Sequence, residues 1–182
     1  MKAVICAGKT RYTTITVPGS KSCAHRALVC ASLADGASQI HDLPQNDDLL
    51  ATQECLRRLG AQIRTEGQNT VVEGCFPVST GKVLDCGESA ATLRFLIPLA
   101  ALGTEPVIFT GRGRLMDRPL SVYEEIFREQ GLRFERSGNQ LLVQGPLRPG
   151  IYTAAGDVSS QFVSGLMFAL PLLEGDSVID LQ

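Results

Sequence analysis

The stretch KVLDCGESAATLRFLIPLAALGTEPVIFT, residues 82–110, decides the fold. It reads as a short strand at Lys82 to Leu84, a polar turn, a long apolar helix running from Ser89 to a glycine stop at Gly103, and a second strand at Val107 to Thr110. Strand, helix and strand in that order imply parallel pairing through a right-handed crossover. The design recurs on both sides. Ser22 to Gly36 and Ser160 to Gly175 are also serine-started apolar helices closed by glycine; their serines lie 67 and 71 residues from Ser89, and their glycines 67 and 72 from Gly103. Between them sit two amphipathic helices, Asn46 to Leu59 ending at Gly60 and Arg118 to Gln130 ending at Gly131, whose glycines are 71 apart.

The remaining segments alternate as strands: Thr13 to Val17, Ser38 to His41, Gln62 to Thr65, Thr70 to Val72, Leu132 to Arg136 and Gln140 to Val143. Gln68-Asn69 and Gly138-Asn139 mark the turns of two closing hairpins. The repeating unit is therefore βαβαββ, an α/β fold with α+β character. Two complete units span about 18–75 and 76–148. A third, 149–182, opens with Ile151 to Thr153, helix Ser160 to Leu173 and strand Ser177 to Asp180, without a second helix or closing hairpin. With a period of about 69, 182 residues make about 2.6 units, so the chain is expected to be part of a longer one. Pro98 and Pro171 fall inside apolar helices, where a kink or an early end is expected.

Composition excludes several function classes. Hydrophobic residues make up 44% and charged residues 20%, which suits a packed core and not a disordered chain. The net charge of −2 provides no overall field for nucleic acid or an anionic membrane, so an anion has to be caught locally. No apolar run approaches the roughly 20 residues needed to span a bilayer, and no targeting segment is evident, so a cytosolic location is expected. Six cysteines without a CxxC pair, and only His25 and His41, give no reason to expect a metal. Cys23 and Cys30 are expected to be reduced core residues on one helix face.

The chemistry gathers at the starts of the three apolar helices. These hold Gly19-Ser20-Lys21-Ser22 with Arg26, Asp85-Cys86-Gly87-Glu88-Ser89 with Arg94, and Gly156-Asp157-Val158-Ser159-Ser160-Gln161. A helix N-terminus presents free N–H groups and the positive end of its dipole, and hydroxyls, Lys and Arg placed there make an anion site. Simple N-capping explains each serine by itself, yet it does not require Lys21, Arg26, Arg94 and Gln161 as well. A P-loop does not fit, because Thr14 and Ile15 stand where its upstream glycine belongs. The segment Gly111 to Pro119 adds Arg112, Arg114 and Arg118 between a strand and a helix with Pro119 in its first turn, a loop suited either to an anionic substrate or to solvent. Asp47 and Asp48 read as helix-start acids in preference to an acid–base pair, and His25 as a polar neighbour of the anion site in preference to a proton donor.

Val17-Pro18-Gly19-Ser20-Lys21-Ser22 with Ala24-His25-Arg26, Asp85-Cys86-Gly87-Glu88-Ser89 with Thr92-Leu93-Arg94, Arg114-Leu115-Met116-Asp117-Arg118-Pro119, and Gly156-Asp157-Val158-Ser159-Ser160-Gln161 follow one another along the chain. Taken together they resemble the N-terminal half of the 5-enolpyruvylshikimate-3-phosphate (EPSP) synthase family. The related UDP-N-acetylglucosamine enolpyruvyl transferases share the fold but carry Lys-Asn in place of Lys21-Ser22. The resemblance implies a cytosolic, metal-independent and cofactor-free transferase of the shikimate pathway. Such an enzyme moves the enolpyruvyl group of phosphoenolpyruvate to the 5-hydroxyl of shikimate 3-phosphate and releases phosphate. By motif, Lys21 is the catalytic contact to both substrates. Ser22, Arg26, Ser159, Ser160 and Gln161 bind shikimate 3-phosphate. Ala90, Arg118 and Gln161 face phosphoenolpyruvate, with Arg94 and Arg114 in support.

Two departures follow from the resemblance. Ala90 replaces the family's glycine in the phosphoenolpyruvate pocket, so weak inhibition by glyphosate is expected. The family's C-terminal domain, which contributes further basic residues and the proton-moving acids, is expected to lie outside this sequence, so residues 18–182 are expected to form a substrate-binding half that is inactive alone. Residues 1–17 are expected to be a strand of the other domain. The alternatives are a phosphate-binding module without catalysis and a relative of the UDP-N-acetylglucosamine enolpyruvyl transferases.

Overall fold

The computed structural model describes residues 17, 19–75, 82–154 and 159–182. Five helices and nine strands are described, in an order that repeats the predicted unit. Helix α1 (Lys21–Leu33), strand β1 (Ala37–His41), helix α2 (Asp47–Leu59) and the hairpin β2 (Gln62–Glu66) and β3 (Asn69–Glu73) make the first set. Strand β4 (Val83–Asp85), α3 (Ala90–Ala100), β5 (Val107–Thr110), α4 (Ser121–Glu129), β6 (Arg133–Ser137) and β7 (Gln140–Gln144) make the second. The third holds β8 (Ile151–Ala154), α5 (Ser160–Ala169) with a closing 3₁₀ turn (Leu170–Leu172), and β9 (Val178–Leu181).

Strands β4 and β5 pair in parallel with Val83 opposite Ile108, and β8 and β9 pair in parallel with Ile151 opposite Val178. These are the crossover pairs the strand–helix–strand order predicts. The closing hairpins add to them antiparallel, giving the order β4-β5-β7-β6 in the second sheet and β1-β3-β2 in the first. The first sheet's expected parallel strand, Thr13 to Val17, and with it the interdomain role of residues 1–17, falls outside the described residues apart from the exposed Val17. Each hairpin turns through Gly67-Gln68 or Gly138-Asn139, with only the glycine at positive φ, +63° and +55°. In the first hairpin the turn therefore sits one residue earlier than the sequence suggests, and Asn69 already belongs to β3.

Helix α3 is apolar on nearly every side, and Leu93, Phe95, Leu96, Ile97, Leu99 and Ala100 are all buried in the core between α1, α2 and α5. On α1 the core-facing stripe is Ala24, Leu28 and Ala31, at the i, i+4, i+7 spacing of one helix face. Cys23 and Cys30 do share a face, but it is the solvent face; this corrects their expected burial, and among the described residues the fully buried thiols are Cys55 and Cys86. Pro171 ends α5 at Ala169 and sits in the 3₁₀ turn, the early end expected of it. Pro98 stays inside α3, which closes two residues later at Ala100.

A second correction concerns α4. Its first residue is Ser121 and not Arg118, and Pro119 precedes the N-cap, Leu120. Turns at Arg112 to Leu115 and Leu115 to Arg118, anchored by the buried side chains of Leu115 and Leu120, hold the arginine loop off the helix.

Candidate anion site at three helix starts

The capping hydroxyls are Ser20 on α1, Ser89 on α3 and Ser159 on α5, which accept from the backbone N–H groups of Cys23, Thr92 and Gln161. Their spacings, 69 and 70, are more regular than those of Ser22, Ser89 and Ser160. Plain capping therefore accounts for Ser89 but not for Ser22 or Ser160, which lie within the first turn with hydroxyls not used as caps. This division of labour leaves a hydroxyl not committed to capping beside two of the three positively polarised helix ends.

All three helix starts open into one pocket of about 290 Å³. Helix α1 contributes Lys21, Ser22, His25 and Arg26; α2 contributes Asp48; α3 and the turn before it contribute Glu88, Ala90, Ala91 and Phe95. Arg118 enters from the loop before α4, and Ser160 and Gln161 from α5. Three cations face two carboxylates there. The arrangement is held by side chains far apart in sequence. Lys21 Nζ lies 2.7 Å from Asp48 Oδ2. Arg26 donates to the Ser22 carbonyl at 3.0 Å, to the Ser22 hydroxyl, and through its other terminal nitrogen to Ser164 Oγ at 3.0 Å, while its guanidinium carbon lies 5.2 Å from the centre of the Phe95 ring. One residue thus ties α1 to α5 across the pocket.

Arg94 stands behind the wall. Its Nη1 donates to Gln161 Oε1 at 2.8 Å, Nη2 to the Pro119 carbonyl at 3.4 Å, and its guanidinium lies 4.8 Å over the Phe162 ring. Burial, and behind it the charge of Arg118, holds this guanidinium below its usual pKa. Of the three loop arginines only Arg118 lines the pocket. Arg112 turns to Asp85 at 3.5 Å, and Arg114 lines a neighbouring surface depression with Asp117, Arg118 and Pro119. Ser159 caps α5 and is not among the pocket-lining residues.

Asp48 occupies the first turn of α2, where the sequence places it, and pairs with Lys21 as well. Three features escape a reading of local sequence. Glu88 brings an acid into the pocket. Arg136 on β6 braces the arginine loop by donating to the carbonyls of Met116 and Arg118 at 3.3 and 3.2 Å. Beneath the pocket, hydroxyls join the helices: His25 Nδ1 lies 2.8 Å from Thr52 Oγ1, Thr52 lies 2.7 Å from Thr92, and Thr92 donates to Ser89 Oγ at 2.7 Å. The repeat offers no signal for the Thr52–Thr92 link, since its two partners sit in different units.

Burial lowers the pKa of His25 from 6.5 to about 4, Asp48 opposes the shift, and Lys21 and Arg26 add to it. The folded chain therefore binds fewer protons at His25 than the unfolded chain between pH 6.5 and 4, so its contribution is complete above pH 6.5 and declines as the pH falls. Between pH 7 and pH 4 the chain is expected to lose about 3 kcal/mol more stability than a His25→Gln variant, as measured by urea unfolding. Parallel pH profiles would remove the imidazole from this balance.

Across most of its length the chain matches known proteins, and the match comes from both sequence and fold. The family described as EPSP synthase (3-phosphoshikimate 1-carboxyvinyltransferase) matches residues 7–182. The chain belongs to the EPSP synthase family. A 3-phosphoshikimate 1-carboxyvinyltransferase of Clostridium perfringens is 43% identical over 98% of this chain, and one of Clostridium kluyveri 45% identical over 92%. The chain spans 43% and 40% of those two relatives. Among solved structures, an EPSP synthase from Acinetobacter baumannii superposes with a TM-score of 0.78 at 23% identity, covering 91% of this chain and 39% of that one. The enolpyruvyl transferase NikO from Streptomyces tendae superposes with a TM-score of 0.60 at 18% identity, covering 86% and 38%. These two show the fold, α/β units of the enolpyruvyl transferase type. Among the described residues of this EPSP synthase family member, no helix is long and apolar enough to cross a membrane.

Proposed function

We propose that this chain is the N-terminal substrate-binding part of a cytosolic enzyme that transfers the enolpyruvyl group of phosphoenolpyruvate to the 5-hydroxyl of shikimate 3-phosphate. The observation that carries this reading is the convergence of three helix starts, from three repeats, on one pocket with Lys21, Arg26 and Arg118 around it. Ser22, Arg26, Ser160 and Gln161 suit shikimate 3-phosphate, because a phosphate takes charge-assisted bonds from guanidinium and N–H donors. Ser159 contributes at the same helix start through its cap. Arg118, with Ala90 and Gln161, suits phosphoenolpyruvate, and Lys21, exposed in the pocket beside Asp48, reaches both substrates as the catalytic cation. Arg94 holds Gln161, and Arg114 adds positive charge beside Arg118.

The transfer needs a proton moved to and from the enolpyruvyl methylene, together with cations to receive the departing phosphate. This half supplies cations, hydroxyls, one neutral imidazole and two carboxylates, of which Asp48 is paired with Lys21. The acid–base groups are assigned to a C-terminal domain that closes over the pocket, and neither nucleic acid nor metal has a part. A weaker reading, a phosphate-binding module without catalysis, is separated by two measurements. In isothermal titration the chain is expected to bind shikimate 3-phosphate, not to bind UDP-N-acetylglucosamine, and to release no phosphate from the substrate pair. Fused to the remaining C-terminal part of the Clostridium perfringens relative, it is expected to release phosphate. Binding without turnover in the fusion favours the module; preference for the UDP-sugar favours the related transferases. In the same fusion Ala90→Gly is expected to increase glyphosate inhibition, since removing the methyl widens the phosphoenolpyruvate end. Unchanged inhibition would remove Ala90 from that end.

A further inference from the structure

Pro98 lies inside α3, and as proline it has no N–H to give to the carbonyl of Arg94 one turn earlier. A buried carbonyl without a donor is costly, so a partner is expected. The partner is Tyr123 of α4, fully buried, whose hydroxyl donates to the Arg94 carbonyl at 2.7 Å and lies 3.1 Å from the carbonyl of Phe162 on α5. Three helices thus meet at one hydroxyl. Burial pushes the Tyr123 pKa well up, so the hydroxyl keeps its proton and remains a donor. Space for it exists because residue 165 is glycine: a Cβ there would collide with Tyr123 Oη and with the Arg94 carbonyl oxygen.

The two carbonyls at this junction belong to the residues that set the pocket wall. Arg94 grips Gln161 at 2.8 Å and stacks 4.8 Å over the ring of Phe162, the residue after Gln161. Tyr123 also packs its ring edge-on against Phe162, with centroids 5.0 Å apart. We propose that Tyr123 is a positioning residue of the pocket: its hydroxyl supplies the hydrogen bond that Pro98 withholds from Arg94, fixes the register of α3 against α5, and thereby sets Gln161 towards the ligand. Tyr123 touches no ligand itself. The inference rests on the reading of Gln161 as a ligand contact given above.

The test is a double-mutant cycle in this chain with Tyr123→Phe and Pro98→Ala, which share one acceptor. Tyr123→Phe keeps the ring and removes only the donor, while Pro98→Ala restores the backbone N–H that competes for the same carbonyl. Tyr123→Phe is expected to weaken shikimate 3-phosphate binding about tenfold, the consequence of leaving a buried acceptor unsatisfied. In the Pro98→Ala background the same change is expected to cost about threefold or less, because the helix now satisfies that acceptor. The side-chain amide resonance of Gln161, identified by its loss in Gln161→Glu, is expected to shift in Tyr123→Phe and to return towards its place in the double variant. Additive losses in the cycle, or an unmoved Gln161 resonance, overturn the proposal; a lower Tm with unchanged affinity reduces Tyr123 to a structural role and overturns it as well. If the unaltered chain binds no shikimate 3-phosphate, the ligand reading fails, while the Gln161 resonance still decides the role of Tyr123.

Discussion

Gly145→Ala and Gly74→Ala are each expected to destabilise the chain by about 3 kcal/mol or more, the upper range for forcing atoms into a filled interior. For a chain of this size that corresponds to a fall in Tm of about 6–12 °C. Neither glycine has a positive φ, so alanine could adopt the backbone; the missing quantity is space. A Cβ at Gly145 would overlap the carbonyl oxygen of Ala101 and lie 2.7 Å from that of Gly103. At Gly74 it would overlap the carbonyl oxygen of Ala34 and lie 2.8 Å from that of Ala31. The obstacles are backbone at the ends of α3 and α1, which cannot turn aside as a flexible side chain can.

The two sites are 71 residues apart and do the same work in successive units: the strand that leaves each closing hairpin passes directly against the end of the apolar helix. Backbone bonds run along the contact, from Gly74 N–H to the Gly36 carbonyl and from Leu147 N–H to the Ala101 carbonyl. Gly138→Ala provides the comparison. Gly138 has φ +55° with open space around it, so alanine there pays only the left-handed conformational penalty of about 1 kcal/mol. Differential scanning calorimetry of the three variants is expected to place Gly138→Ala well above the other two. Equal Tm values would mean that the hairpin exits and helix ends do not meet as described.

The second large effect concerns Arg26. Arg26→Ala is expected to weaken shikimate 3-phosphate binding by about 100-fold or more, since charged hydrogen bonds contribute about 1.5–3 kcal/mol each. Two contributions are lost together, the cation at the start of α1 and the fork that spans Ser22 and Ser164. Arg26→Lys keeps the charge but neither the fork nor the stacking on Phe95, and an intermediate loss of about tenfold is expected. Urea unfolding of both variants separates affinity from folding, because an exposed to half-buried arginine carries little of the core. Normal binding by a folded Arg26→Ala would place the anion elsewhere.

Much of the architecture was legible because local chemistry dictates it. Glycine stops at Gly60 and Gly131, the Asn46 cap with Asp47 and Asp48 behind it, and the apolar run of α3 fix helices wherever they are placed. A repeat of about 69 residues then brings equivalent helix starts to equivalent places, which is why Lys21, Arg26, Ala90 and Gln161 meet in one pocket. Local rules misled at Arg118, where a proline and an amphipathic pattern suggested a helix start that buried Leu115 and Leu120 override, and at Cys23 and Cys30, where a shared face did not say which side faced the core.

The kind and order of elements and the residue types at each helix start follow from the sequence alone, because backbone preference and capping act within a few residues. Which side chains meet is set by packing in three dimensions: Lys21 with Asp48, Arg26 with Ser164, Arg94 with Gln161, and the Tyr123 hydroxyl with a carbonyl that Pro98 leaves free. Those partners lie between 27 and 138 positions apart, and for Arg94 and Tyr123 the encounter depends on how closely α3 and α5 pack at Gly165, a distance that no local propensity encodes.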